Sequence, residues 1–246
     1  KKLLKFRKKN KKFKFLSFPT ISGTGPNGAI IHYKATHKTD RKLRKGDIYL
    51  VDSGGQYEFG TTDVTRTISL KNSNKRIKNI FTRVLKGHIA VANFSLKKNT
   101  CGSAIDSVAR KYLKQINLDY AHGTGHGVGF FLNVHEGPQR LSRASTVVLE
   151  PGMILSNEPG FYKEGAFGIR IENLLSVGEA DLPEAANLTR LLEFETLTYV
   201  PIDLRMVISD WLDPTEKAWI NAYHKKCWDL HQDQLSSSAA RWLDQA

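Results

Sequence analysis

Thiols are scarce in this sequence: among 246 residues only Cys101 and Cys227 carry one. They lie far apart in ordinary amphipathic segments with no CxxC pair, which excludes a cysteine-based zinc or redox site and leaves both as reduced core thiols. Long apolar runs are also missing. None reaches the roughly 18 residues that a membrane-spanning helix needs, and the first residues hold nothing like the apolar centre of a signal peptide. These absences predict a cytoplasmic protein without a membrane partner. Acidic residues are absent until Asp40, whereas residues 1–14, KKLLKFRKKNKKFK, hold nine of the 37 basic residues. The net charge of +13 taken alone would suggest nucleic acid, through counterion release. Beyond residue 14, however, 28 basic residues meet 24 acidic ones, so the excess is one local run of the kind found on solvated helix faces and tails. That distribution argues against a nucleic-acid partner. A basic RNA- or ribosome-associated protein would show a salt-sensitive association that disappears when residues 1–14 are deleted. Leu3, Leu4 and Phe6 are spaced as a helix already under way, without an initiator methionine, as expected of a fragment of a longer protein.

What is present, 40% hydrophobic and 25% charged residues, suits a soluble globular fold of one large domain or two small ones. FLSFPTISGTGPNGAIIHY reads as two strands joined by a turn cluster at Gly23 to Gly28, and GDIYLVDSGGQYEFGTTDVTRTISL as strand, glycine turn, strand. Helical spacing follows over about 76–94, with Phe81, Val84, Leu85 and His88 on one face, and over about 103–115, with Ile105, Val108, Ala109, Tyr112 and Leu113. PGMILSNEPGFY and FGIRIENLLSV return to strand patterns. Asp213, Pro214 and Glu216 form an N-cap, an N1 proline and an N3 acid before a structural helix bearing Trp219, Tyr223, Cys227 and Leu230. An internal echo sets KGDIYLVDSG (45–54) against PGMILSNEPG (151–160): Gly46, Ile48 and Gly54 meet Gly152, Ile154 and Gly160, and Asp52 meets Glu158. Each segment is followed by another acid, Asp63 or Glu172.

An acid inside an apolar strand must face solvent or find a partner. For any one of Asp52, Asp63, Glu158 and Glu172 a solvated strand position is the ordinary explanation. Four together are different, because converging carboxylates repel unless cations hold them. Two divalent ions balance four carboxylates, and oxygen-rich ligation with one imidazole suits manganese, magnesium or cobalt. Such a pair, about 3.5–4 Å apart, can hold a bridging hydroxide and polarise a carbonyl. In HGTGHGVGFFLNVHEG (122–137), His122 and His126 are four apart, but Gly123 and Gly125 disfavour a helix and no HExxH is present. The glycines fit neither GxGxxG nor a phosphate loop, and read instead as clearance for close approach of the backbone to metal or substrate.

AIIHY, VDSGGQY…TTDVTRT, HGTGHGVG…VHEGP, LSNEPGFY and GIRIEN, in this order and spacing, resemble the catalytic domain of Xaa-Pro aminopeptidases (aminopeptidase P). These are pita-bread metallopeptidases related to prolidase and methionine aminopeptidase. The likeness covers about residues 15–180, and FETLTYVPID with the helix after it resembles the C-terminal extension of the cytosolic, multidomain subtype. It implies an α+β pita-bread fold with duplicated α/β halves and curved antiparallel sheet. The implied parts are a basic end of a preceding linker (1–14), the catalytic domain (15–180) and an extension packed on it (181–246).

The resemblance also implies ligands: Asp52 on one metal, Asp63 and Glu172 bridging both, and His126 with Glu158 completing the other. Manganese is the usual metal, with cobalt, zinc or magnesium as alternatives. Glu158 would accept a proton as a bridging hydroxide attacks the carbonyl before proline. His32, His122 and His135 would contact substrate or shuttle protons, although each alone would read as a satisfied loop or strand histidine. Arg170, two residues before Glu172, would orient a carboxylate, with a surface arginine as the plain alternative. The expected substrates are peptides with proline second, and the expected assembly is a homodimer of the full-length protein. A prolidase acting only on Xaa-Pro dipeptides, or a pita-bread module that binds peptide or protein without catalysis, are the competing expectations.

Overall fold

The computed structural model describes residues 2–71, 73–97, 99–179 and 192–244. Its first part carries helix α1 (Lys2–Arg7), strands β1 (Phe13–Leu16), β2 (Ile21–Thr24), β3 (Ile48–Ser53), β4 (Gly55–Tyr57), β5 (Gly60–Thr61) and β6 (Val64–Ser69), then helices α2 (Lys75–Ala92) and α3 (Gly102–Lys114). Strands β7 (Gly125–His126), β8 (Arg140–Leu141), β9 (Ile154–Asn157), β10 (Gly160–Lys163), β11 (Phe167–Arg170), β12 (Asn173–Glu179) and β13 (Leu192–Thr196) follow, before helices α4 (Pro214–His231) and α5 (Ser237–Asp244). The paired strands run antiparallel throughout.

The internal echo is structural. β3 is central in a β2–β3–β6 sheet and β12 in a β13–β12–β9 sheet, and β3 and β9 pair antiparallel with β6 and β12 respectively. Both β3 and β9 begin two residues after a glycine in left-handed backbone, Gly46 at φ 90° and Gly152 at φ 86°. A side chain there would strain the turn, so the repeated glycine has a conformational cause.

Helix α2 starts where Asn74 accepts a hydrogen bond from the Ile77 amide, and its Ile80, Phe81, Val84, Leu85 and Ile89 enter the larger core with α4 and β11. A capping box of Asp213 and Glu216 opens α4. A second core lies between α3, β9, β12 and β13. Lys12 and Lys14 each pair with Glu58 at 2.6 Å, so part of the basic run folds back on its own chain. β13 pairs with β12 from Glu179↔Leu192 to Leu175↔Thr196, which makes the start of the C-terminal region an edge of the sheet that holds β9. The expected boundary at 180 and 181 lies outside the described residues. Among those described, no helix is long and apolar enough to cross a membrane.

Three local expectations need correction. AIIHY is not a strand: Gly25, at φ 54°, and Pro26 open a 3-10 turn over Gly25–Ala29, and Tyr33 is held by Asn27 and Thr39 instead of a neighbouring strand. Between Ser53 and Val64 the glycine turn is a small hairpin, β4–β5, which recruits β1. Cys227 is buried as expected, but Cys101 is only half-buried, because it occupies the N-cap of α3 with its thiol against the Thr146 carbonyl.

Candidate metal centre

Ile48, Leu50 and Asp52 share one buried face of β3, so the alternation that turns two apolar side chains inward turns the acid inward with them. Asp63 sits at the entrance to β6, Glu158 follows β9, and Glu172 lies between β11 and β12. His126 comes from β7, whose amide bonds the Ser156 hydroxyl of β9 at 3.0 Å. One ligand atom each from Asp63, His126 and Glu172 lie within 4.8 Å of one another. His126 Nε2 is also 3.5 Å from Asp63 Oδ2 and 3.3 Å from Glu158 Oε1. Its Nδ1 lies 2.9 Å from the Gly127 carbonyl, which can only accept, so the proton belongs on Nδ1 and the Nε2 lone pair faces the carboxylates. All nine candidate residues, His32, Asp52, Asp63, His122, His126, His135, Glu158, Arg170 and Glu172, line one cavity of about 420 Å³.

Arg170 is 2% exposed, which removes the surface alternative. Its Nη2 donates to Asp52 Oδ2 at 2.7 Å, its Nε to Thr65 Oγ1 at 3.1 Å and its Nη1 to the Tyr162 hydroxyl at 2.6 Å. Tyr162 in turn meets His122 Nε2 at 2.9 Å, while His122 Nδ1 lies 2.7 Å from the Gly123 carbonyl. The carbonyl again fixes the tautomer: Nδ1 donates and Nε2 accepts the tyrosine proton. His122 is therefore engaged at both nitrogens. His135 lies against His126 with ring centroids 4.0 Å apart and the rings tilted by 52°, and His32 is exposed at the cavity rim.

The electrostatics suit cations. Burial pushes the Asp63 and Glu172 carboxyls well above the ordinary range, and the neighbouring acids push them further. Asp52 is raised by burial against the pull of Arg170. Burial lowers His122 and His135, the latter also through His126. Oδ1 of Asp52 and Oδ1 of Asp63 are buried without a hydrogen-bond partner among the described residues. Unpartnered carboxylate oxygens beside an imidazole lone pair form a donor set for hard or borderline divalent ions.

Sequence reasoning missed the residues that hold this set. Thr65 donates to Glu172 Oε2 at 2.7 Å; it stands two positions after Asp63, and Tyr162 four after Glu158, so strand alternation could have flagged both. On α3, buried Asp106 and Arg110 form an i,i+4 pair at 2.8 Å; Asp106 accepts from Thr124 and Arg110 donates to the His122 carbonyl, which anchors the histidine stretch. The glycines there clear protein rather than metal or substrate. A Cβ on Gly125 would lie 1.8 Å from the Ser156 carbonyl oxygen and one on Gly127 2.0 Å from that of Glu136.

Residues 1–179 match metallopeptidase family M24, and residues 190–246 match the C-terminal region of peptidase M24. The chain is 47% identical over 245 residues to aminopeptidase P2 of Arabidopsis thaliana, covering 98% of this chain and 34% of that protein. A crystal structure of X-prolyl aminopeptidase from Caenorhabditis elegans, described as a cytosolic enzyme with a di-nuclear active site, superposes with a TM-score of 0.92 at 38% identity, covering 98% of this chain and 40% of that one. Prolidase from Pyrococcus furiosus superposes with a TM-score of 0.66 at 28% identity, over 76% of this chain and 51% of that one. The fold is the pita-bread fold of these enzymes. This chain thus spans 34% of the Arabidopsis aminopeptidase and 40% of the Caenorhabditis one, and it belongs to metallopeptidase family M24.

Proposed function

We propose that this chain is the catalytic part of a metal-dependent aminopeptidase that hydrolyses the N-terminal Xaa-Pro bond of peptides. The observation that carries the reading is the convergence of four buried or half-buried acids and His126 on one cavity, with unpartnered oxygens on Asp52 and Asp63. The names of the Arabidopsis and Caenorhabditis relatives support the substrate class. Asp52 would hold one metal, Asp63 and Glu172 would serve both, and His126 with Glu158 would complete the second. These residues would hold two divalent cations, manganese first and cobalt, zinc or magnesium as alternatives, which would supply Lewis acidity and an activated water as nucleophile.

The chain's own residues orient the rest. Ser156 fixes Glu158 Oε1 at 3.1 Å, which leaves the carboxylate at the cavity to take up a proton. Arg170 keeps Asp52 aimed inward. His135 and His32 face the peptide and can hold its carbonyl oxygen or proline end, whereas His122, committed to Tyr162, acts by positioning. We extend the proposal to cytoplasmic action, a homodimer of the longer protein, the division into 1–14, 15–180 and 181–246, and peptides rather than nucleic acid or membrane as partners. The test is hydrolysis of Xaa-Pro-Xaa and Xaa-Pro peptides by metal-stripped protein with and without added manganese. Manganese-dependent release of the first residue from the tripeptide is expected. Turnover of dipeptides alone would make it a prolidase, and no turnover with no metal uptake would make it a binding module.

A further inference from the structure

We infer that a buried polar layer behind the metal centre makes helix α4, in the C-terminal region, a positioning element for the ligands Glu172 and Glu158; this rests on the ligand assignment proposed above. Asn157 and Asn173 are the chain neighbours of those two acids, sit opposite each other in the β9–β12 register, and are both fully buried. Strand alternation turns them away from the cavity. On that far side the Asn157 amide donates to the His88 carbonyl at 2.9 Å, and the Asn173 amide meets His88 Nε2 at 3.2 Å. Asn173 Oδ1 accepts from Arg66 Nη2 at 2.7 Å.

Arg66 is the hub. Its Nη1 donates both to the Glu172 carbonyl at 2.6 Å and to the Thr65 carbonyl at 2.8 Å, which clamps together the acid and the residue whose hydroxyl holds that acid's carboxylate. Its Nη2 reaches the Tyr223 hydroxyl of α4 at 2.7 Å. That hydroxyl also accepts from the Val200 amide at 3.0 Å and lies 3.2 Å from Asn173 Oδ1. Trp219, one turn earlier on α4, stacks on Tyr223 at 5.1 Å and meets the His88 ring edge-on at 5.9 Å.

A guanidinium buried this fully stabilises little compared with an apolar replacement, but it tolerates few alternative arrangements. Its effect is on geometry: the backbone of Glu172 can shift only if Arg66 leaves partners on β6, β12, the 198–201 segment and α4 together. Outer hydrogen bonds of this kind set how well ligands hold a metal.

The test is titration of manganese into metal-stripped wild-type, Tyr223→Phe and Lys225→Ala proteins, alongside thermal unfolding. Tyr223→Phe keeps the ring stack and removes only the hydroxyl; Lys225 pairs with Asp229 on the exposed side of the same helix. Manganese affinity should fall about tenfold in Tyr223→Phe and stay unchanged in Lys225→Ala. A lower unfolding temperature with unchanged manganese affinity in Tyr223→Phe would overturn the inference and leave the ligand assignment standing. No metal uptake by the wild type would overturn both. If Tyr223→Phe fails to fold, hydrogen exchange on the wild type decides, because coupling is reciprocal. Manganese should slow exchange of the Val200 amide, and an unchanged rate there would overturn the inference.

Discussion

Gly125→Ala tests the packing that places His126 at the cavity. The new methyl would lie 1.8 Å from the Ser156 carbonyl oxygen and 2.8 Å from its carbon, and both are backbone atoms of β9 that no rotamer change can move. To reach even 3.0 Å, β7 must withdraw from β9 by about 1.2 Å. That movement would break the bonds that join the two segments, from the His126 amide to Ser156 Oγ at 3.0 Å, the Val128 amide to the Ile154 carbonyl at 3.1 Å and the Glu158 amide to the Thr124 carbonyl at 2.8 Å. It would also carry His126 Nε2 away from Glu158 and Asp63, where metal ligation tolerates only about 0.2 Å. Manganese affinity should fall about 10- to 100-fold, turnover of a Xaa-Pro-Xaa peptide about 100-fold, and unfolding free energy by about 1–3 kcal/mol from overpacking. Gly178→Ala is the control: nothing lies within 4 Å of its added methyl, and its effect should stay within about 0.5 kcal/mol. Isothermal titration, peptide hydrolysis and urea unfolding measure the three effects. A Gly125→Ala protein with wild-type affinity and stability would refute the argument that this glycine serves backbone clearance.

Three further outcomes are expected. Asp63→Asn should lower manganese stoichiometry as well as rate, whereas His135→Ala should lower rate with the metal retained; atomic absorption beside a peptide assay separates them, and two metals with normal turnover in both variants would sink the assignment. Burial brings His88 down to about 3 from its ordinary 6.5, with the Arg66 charge adding to the effect, so below pH 6.5 the unfolded chain binds a proton that the native chain refuses. Stability should therefore fall as pH drops from 6.5 toward 3, by about 1.6 kcal/mol from this residue between pH 6.5 and 5; urea unfolding of metal-stripped His88→Leu should lack that share. Asp106→Ala leaves the Arg110 charge buried without its main partner and should cost about 3–5 kcal/mol in the same assay, and a loss under 1 kcal/mol would mean the pair is dispensable.

Much of the architecture was legible because its signals are local. The helices α2, α3 and α4 follow 3.6-residue spacing and, at Asp213–Glu216, cap chemistry; α2 and α3 lie within two residues of where the pattern puts them, and α4 opens at Pro214 as its cap residues imply. The match between 45–54 and 151–160 was legible for the same reason, since Gly46 and Gly152 impose the same backbone turn before equivalent strands. AIIHY was misread because Ile and Tyr favour strands, while the turn at Gly25–Pro26 sends the chain along a different path where Ile30 is exposed.

The acids were legible through alternation, as Thr65 and Tyr162 could have been, but Arg66 was not, for a reason that depends on sequence distance. An inward-facing Asp52 betrays itself by interrupting its own apolar strand. Arg66 gives no such sign: in DVTRTI it reads as an ordinary strand residue, and its partners at Glu172, Asn173, Val200 and Tyr223 lie 106, 107, 134 and 157 positions away. Arg170 was expected to orient a carboxylate from its place two residues before Glu172, but that spacing could not name its partner Asp52, 118 positions back. Periodicity reports which way a side chain points, and only the folded chain determines what it meets there. A site whose donors sit on alternating strands can therefore be located from sequence, while the hydrogen bonds that tune it depend on how the two sheets and α4 come together.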